Sequence, residues 1–468
     1  MGTYQDVYEC AQSDVTGFWL EAANGIDWVT SPQTALDDSK PPFYRWFSDG
    51  ALNTCFNAVD RHVDAGRGDQ VAIIYDSPIT GNASKMTYGA LQTATARFAG
   101  MLQSLGVEKG DRVIIYMPMI IESIVAMLGC ARLGAVHSVV FGGFAAAELA
   151  TRIDDAKPKA IISASCGHEP GRIVAYKPLL DEAIEIAVHK PDNCVIYQRE
   201  ALAADLVAGR DLEWHAAHEN APELAPVTVK ATDSLYILYT SGTTGQPKGV
   251  VRDNGGHAVA LAWSMPNIYA TGPGDVYWAA SDIGWVVGHS YIVYAPLLAG
   301  CTTVLFEGKP VGTPDAGVFW RIISEHKVKV LFTAPTAFRA IKRADPDADF
   351  LENYDTSSLE YLFLAGERAD PDTIIWAQDK LNVPVIDHWW QTETGWPMCA
   401  NPVGIEQLPI KLGSPSVPMP GYEIDILDEE GSVKAPDELG SIAVRLPMPP
   451  ACLPTVWWAD AAFVEKYL

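Results

Sequence analysis

An apolar run, Leu235-Tyr236-Ile237-Leu238-Tyr239, opens directly onto Thr240-Ser241-Gly242-Thr243-Thr244-Gly245-Gln246-Pro247-Lys248-Gly249. Hydroxyl and glycine residues in that order suit one task. Glycine lets backbone N–H groups turn toward a common centre, the hydroxyls add donors, and Lys248 brings a mobile positive charge. Such a loop cradles phosphate oxygens. It is not the Walker loop, in which Gly-Lys is followed by Ser or Thr; here Gln246-Pro247 precede Lys248 and Gly249 follows it. A bare glycine-rich run would read as an ordinary surface loop, but the ordered series of hydroxyls, glycines, proline and lysine does not.

A second constellation is Asp387-His388-Trp389-Trp390-Gln391-Thr392-Glu393-Thr394-Gly395. In isolation the two tryptophans read as core aromatics and Glu393 as a solvated carboxylate. Next to Gln-Thr-Glu-Thr-Gly they read as the wall of a pocket. His289, within Gly284-Trp285-Val286-Val287-Gly288-His289-Ser290-Tyr291, divides evenly between a hydrogen-bonded core residue and a pocket contact.

The elements that must position these groups alternate between strand and helix. Residues 71–75, 113–117, 136–141, 160–163 and 328–332 are short β-rich runs, and helical spacing marks 91–105, 121–133, 145–156 and 319–326. Strands separated by helices predict βαβ units and largely parallel sheets covered on both faces. The fold class is therefore α/β. Residues 1–70, rich in aromatics and aspartate without steady period, predict an irregular segment wrapped on a larger body. After about 405 the alternation at 410–412, 422–427 and 441–446 predicts a small antiparallel β unit, and 461–468 reads as a helix. The uncharged stretch 283–306 is long enough to span a bilayer, but its His, Pro and glycines favour two buried strands around a helical turn.

Composition narrows the function. The chain has 468 residues, 48% hydrophobic and 19% charged, which is too apolar for disorder. Lys+Arg 33 against Asp+Glu 58 gives a net charge of −25, so nucleic acid and anionic membrane surfaces are disfavoured partners. Eight scattered cysteines without a C-x-x-C pair read as reduced thiols, and no signal peptide is apparent; a cytoplasmic location follows as the expectation.

T-S-G-T-T-G-x-P-K-G resembles the signature loop of the adenylate-forming (AMP-binding) acyl-CoA synthetases, and the likeness extends over essentially the whole chain. Residues 1–70 resemble the N-terminal extension of the acetyl-/propionyl-CoA synthetase group, and Leu364-Ala365-Gly366-Glu367-Arg368 resembles its adenine-side loop. Gly-Glu-Arg in place of Gly-Glu-Pro points to the propionate branch. The resemblance implies a body of two α/β lobes with mostly parallel sheets, divided as extension 1–70, AMP-binding core 71–405 and β-rich unit 406–468. It implies ATP, Mg²⁺ and coenzyme A, the last as a substrate, with small molecules as the partners. Thr240, Ser241, Gly242, Thr243, Thr244 and Lys248 would hold phosphates. Gly366, Glu367 and Arg368 would flank adenine, and Asp387, His388, Trp389, Trp390, Gln391 and Thr392 would line the base and α-phosphate. Glu393 would ligate Mg²⁺, so Lys248, Thr240 and Glu393 are the catalytic candidates. Val286, Val287, Ala365 and Trp390 would form the acyl pocket, and Arg172 would contact coenzyme A although Glu169 departs from that group's second arginine.

In that group the chain continues past the counterpart of Tyr467-Leu468 into a domain bearing the lysine that drives adenylation. The expectation is an N-terminal body without that domain, binding nucleotide but nearly inactive alone. Rival readings are a non-catalytic nucleotide or acyl-AMP module, a P-loop NTPase, and an adenylation domain that loads a carrier protein.

Overall fold

Val113, Ile114 and Ile115 are fully buried in the strand Arg112–Tyr116, which has Val136–Val139 on one side and Ala160–Ala164 on the other. A strand covered on both faces carries a continuous apolar run rather than an alternation, which is why these runs were readable as parallel strands. The structure is a computed structural model that describes residues 2–240 and 248–468. Ser241, Gly242, Thr243 and Thr244 lie outside the described residues.

Two seven-stranded sheets organise the chain. The first runs in the order Asp211–Glu213, Asn193–Tyr197, Ala160–Ala164, Arg112–Tyr116, Val136–Val139, Ser234–Thr240, Lys248–Asp253. The second runs Val385–Asp387, Tyr361–Leu364, Val330–Thr333, Val276–Ala279, Thr302–Phe306, Val71–Ser77, Asn82–Thr87. Neighbours are parallel in both, except for the last pair of each, which is antiparallel. The α/β class with mostly parallel sheets is what the sequence predicts. The helix Ile121–Leu133 is buried along almost its whole length and stops at Gly134, whose φ of +78° is a backbone state that side chains disfavour.

Three expectations need correction. Residues 4–23 are not irregular: they form the helices Tyr4–Ser13 and Val15–Ala23, started by a Thr3/Asp6 capping box and by the Asp14 side chain. The second helix drives Trp19 into the core, edge-on to Trp396 at 5.8 Å between ring centres. Within 283–306 one strand forms, Thr302–Phe306, preceded by the wide helical turns Gly288–Tyr294 and the helix Ala295–Leu298. His289, Tyr291 and Tyr294 pack there at helical spacing against other aromatics, which outweighs their β-propensity. Residues 410–412 form no strand, because Pro409 and Gly413 (φ +72°) leave a run too short to find a partner. The antiparallel pair observed is Ile424–Leu427 with Ser441–Val444. Among the described residues no helix is long and apolar enough to cross a membrane.

A buried ion pair ties the wide turn Phe56–Asp60 to the helix Ile121–Leu133. Asp60 Oδ2 lies 2.7 Å from Arg132 Nη1, with both side chains almost fully enclosed. The Gln92 amide donates to the other Asp60 oxygen at 2.9 Å, and Arg132 Nε donates to the Leu224 carbonyl at 2.6 Å. Removing one partner strands the other charge. Asp60→Ala is therefore expected to cost about 3–5 kcal/mol in a urea titration, with Asp60→Ala/Arg132→Met recovering part of it. A single-variant loss below about 1 kcal/mol, the worth of an exposed pair, would refute this account.

Candidate active site

The carboxyl ends of parallel strands from both sheets converge on one cavity of about 560 Å³. Such strand ends are where open α/β sheets place ligands. Thr240 and Lys248 come from the end of Ser234–Thr240 and the start of Lys248–Asp253, where they face each other as cross-strand partners. Ala280 and Ser281 follow Val276–Ala279, and Thr333 and Ala334 stand at the end of Val330–Thr333. Ala365 and Gly366 follow Tyr361–Leu364, and Trp390 to Glu393 follow Val385–Asp387. Sequence-distant residues are thus brought together by topology alone.

One end of the cavity is polar. The Tyr467 hydroxyl donates to Glu393 Oε1 at 2.9 Å, and the Lys248 ammonium stands 5.4 Å from the centre of the same Tyr467 ring. Burial and the nearby Glu393 carboxylate push the Tyr467 phenol well above its ordinary range, so it is a donor here. Glu393 is half-buried, and its backbone carbonyl accepts from Leu453 N–H at 2.8 Å. A carboxylate so held at the rim fits Mg²⁺, which is typically bound by one or two carboxylates together with substrate phosphate oxygens. Among the described residues one cluster of three potential metal ligands occurs elsewhere, Asp76, Glu325 and His326. There the Asp76 carboxylate is already taken by both Arg321 nitrogens, at 2.7 and 3.0 Å, and by His326 at 2.8 Å. That cluster is an ion-pair network.

Behind the lining lie residues that hold it. His388 is buried; its Nδ1 donates to the Leu364 carbonyl at 2.8 Å, which fixes Nε2 as the acceptor for the Tyr269 hydroxyl at 3.0 Å. Burial lowers its pKa to about 4, so it is neutral. Asp387 is half-buried, with burial raising its pKa to about 6, and Trp389 is bridged to Cys399. The structure places these three next to the cavity rather than in its wall. Glu367 and Arg368 are exposed beyond Gly366, and Glu367 is paired with Arg339 at 2.5 Å.

The other end is apolar. Val286, Val287, Ala365, Phe332 and Trp390 meet there, with Trp390 edge-on to Tyr291 at 5.4 Å and Ala365 buried. His289 lies behind this wall, fully buried, with Nδ1 against the Trp285 carbonyl at 3.0 Å. It resolves as a core residue. Arg172 is exposed on a hairpin opposite Glu169 and does not line this cavity. Ser281, Thr333, Ala334 and Trp285 were not singled out from sequence. The signal available for them was position, since the first three follow or end predicted or observed strands at the same sheet edge.

Comparison with known proteins decides the family. The family described as AMP-binding enzyme matches residues 59–449, and that described as acetyl-coenzyme A synthetase N-terminus matches residues 4–58. The chain is 49% identical over 466 residues to human acyl-CoA synthetase short-chain family member 3, mitochondrial, covering 99% of this chain and 68% of that protein. It is 46% identical over 468 residues to propionate–CoA ligase of Escherichia coli (strain K12), covering 99% and 74%. The chain belongs to the AMP-binding enzymes. Within this AMP-binding enzyme, the neutral His388 leaves a pH signature. A group kept neutral in the fold but protonated when unfolded removes stability as pH falls from 6.5 toward about 4. His388→Gln is therefore expected to lose less stability than wild type across that window, by up to about 3 kcal/mol. Parallel melting curves for the two proteins across the window would contradict the assignment.

Proposed function

We propose that this AMP-binding enzyme joins a short-chain carboxylate, propionate in preference to acetate, to coenzyme A through an acyl-adenylate. The observation that carries the reading is the meeting of Thr240, Lys248 and Glu393 with Trp390 and Ala365 around a single cavity, polar at one end and closed by an indole at the other. In the first step a carboxylate oxygen forms a bond to the α-phosphorus of ATP while the bond to pyrophosphate breaks. In the second, the coenzyme A sulfur attacks the acyl carbon, its proton is lost, and the bond to AMP breaks.

A carboxylate is a weak nucleophile and pyrophosphate leaves with high charge, so positioning and charge neutralisation dominate. Lys248 and Thr240, with Ser241, Gly242, Thr243 and Thr244, take the β- and γ-phosphates. Glu393 would hold Mg²⁺, which would supply further charge neutralisation. Gly366, Glu367 and Arg368 flank adenine, and Asp387 to Thr392 support the base and α-phosphate side. A second cavity of about 500 Å³ shares Ala280, Ser281, Trp285, Thr333 and Ala334 with the first and includes Glu169, the hairpin partner of Arg172. It offers the thiol a route to the acyl carbon. The eight free cysteines suit a reducing compartment such as the cytoplasm, although one relative's name places that protein in mitochondria.

Trp390 excludes long tails, and Ala365 leaves space beside it. A buried methylene there contributes roughly 0.8 kcal/mol, within the 1–3 kcal/mol such pockets discriminate. The decisive assay is pyrophosphate release by the full-length enzyme with acetate, propionate and butyrate, with and without coenzyme A. Propionate should lead; dependence on a carrier protein instead of coenzyme A would replace this reading. Ala365→Val should shift relative kcat/KM toward acetate by about three- to tenfold, whereas an unchanged ratio removes Ala365 from the pocket.

A further inference from the structure

Arg252 lies on the strand Lys248–Asp253 and is completely buried. Among the described residues it has no ion-pair partner within 4.0 Å, in contrast to buried Arg132 with Asp60. Its Nη2 donates to the Thr392 carbonyl and its Nη1 to the Val251 carbonyl at 3.3 Å, while Nε has no acceptor. Space for the guanidinium exists because residue 395 is glycine: a Cβ at Gly395 would stand 2.7 Å from Arg252 Nε. The neighbouring buried carboxylate, Asp253, acts on Arg252 only at a distance beyond 4.0 Å; its oxygen caps the helix Asn254–Asn267, accepting from His257 N–H at 3.3 Å. Glu393 is engaged by Tyr467.

An arginine does not shed its proton in a protein, and a buried charge without a counter-charge is costly. The Thr392 carbonyl to which it donates belongs to a residue of the cavity wall. A negative group arriving in the cavity would face this cation across one residue, through interior where Coulomb forces are weakly screened. We infer that Arg252 is a positioning residue for the bound nucleotide: it fixes the Thr392–Glu393 turn and presents an unpaired positive charge that a phosphate group in the cavity completes. The inference rests on the nucleotide reading of the site and deepens it. Arg252 touches no reacting atom, so its effect reads out in preference for charged over uncharged nucleosides.

The experiment measures equilibrium binding of ATP, AMP and adenosine to the full chain by calorimetry, for wild type, Arg252→Gln and Arg252→Lys. Arg252→Gln should weaken AMP and ATP by roughly tenfold or more and adenosine by less than about threefold. Arg252→Lys, which keeps the charge and loses the fork, should hold AMP affinity within about threefold of wild type. Equal losses for all three ligands in Arg252→Gln, or unchanged AMP binding, would overturn the inference. Should Arg252→Gln not fold, Arg252→Lys decides: a large loss of AMP affinity there overturns it. Absence of ATP and AMP binding by wild type would remove the nucleotide reading itself, and this inference with it.

Discussion

The carbonyl of Leu364 accepts two hydrogen bonds from one residue, the backbone N–H of His388 at 3.0 Å and the His388 Nδ1–H at 2.8 Å. That doubled contact fixes two strand ends against each other, and Ala365, one residue beyond Leu364, and Trp390, two beyond His388, line the cavity. Parallel sheets buried on both faces offer ligands little except their carboxyl edges. The site therefore inherits its accuracy from how firmly those edges are clamped. The neutral imidazole serves both contacts at once: Nδ1–H donates to Leu364 while Nε2 accepts from the Tyr269 hydroxyl, which a second ring proton would force to reverse. Burial supplies that neutrality.

Neutral imidazoles recur beneath the site. His137, His257 and His289 are fully buried, and burial lowers the pKa of each, with His289 at about 4. His137 stacks on His289 at 5.5 Å and meets the Tyr294 hydroxyl at 2.6 Å, while Tyr236 packs on His289 at 4.6 Å. The Arg252 charge further depresses both His257 and His289. One permanent cation among neutral rings gives the interior a fixed sign. Protonation of several histidines would instead scatter positive charge through the core beside Arg252, where Asp253 is the nearby buried carboxylate and already caps a helix.

The Thr240–Gly249 and Asp387–Gly395 runs stood out because residue types and order are local, and the structure brings Thr240, Lys248 and Trp390–Glu393 to one cavity. The α/β class was legible because the doubly buried strands are continuous apolar runs. Ser281, Thr333 and Ala334 were not, since small residues after strands acquire meaning only when topology brings the strand ends to one edge. Arg252 was invisible for a related reason: its lack of a partner is a property of three-dimensional surroundings. His289, evenly divided between core and pocket in the sequence, is made structural by its neighbours. The helices at 4–23 could have been found from the Thr3/Asp6 and Asp14 capping positions, which aromatic richness obscured.

The apolar end of the cavity divides its labour unevenly. Trp390 is held edge-on by Tyr291 at 5.4 Å and lies 6.1 Å from the Phe332 ring, so its indole has little room to swing. Tyr291 is itself anchored through its hydroxyl to Ser264 at 3.1 Å and packs on Tyr269, which also meets His388. The apolar wall is thus part of the same network that clamps the strand ends. A change at Trp390 would disturb the clamp as well as the pocket. Ala365 carries a single methyl into the cavity and its side chain enters no hydrogen bond. Volume can therefore be added at Ala365 with the least effect on the framework, because closely packed interiors tolerate it where a cavity already exists.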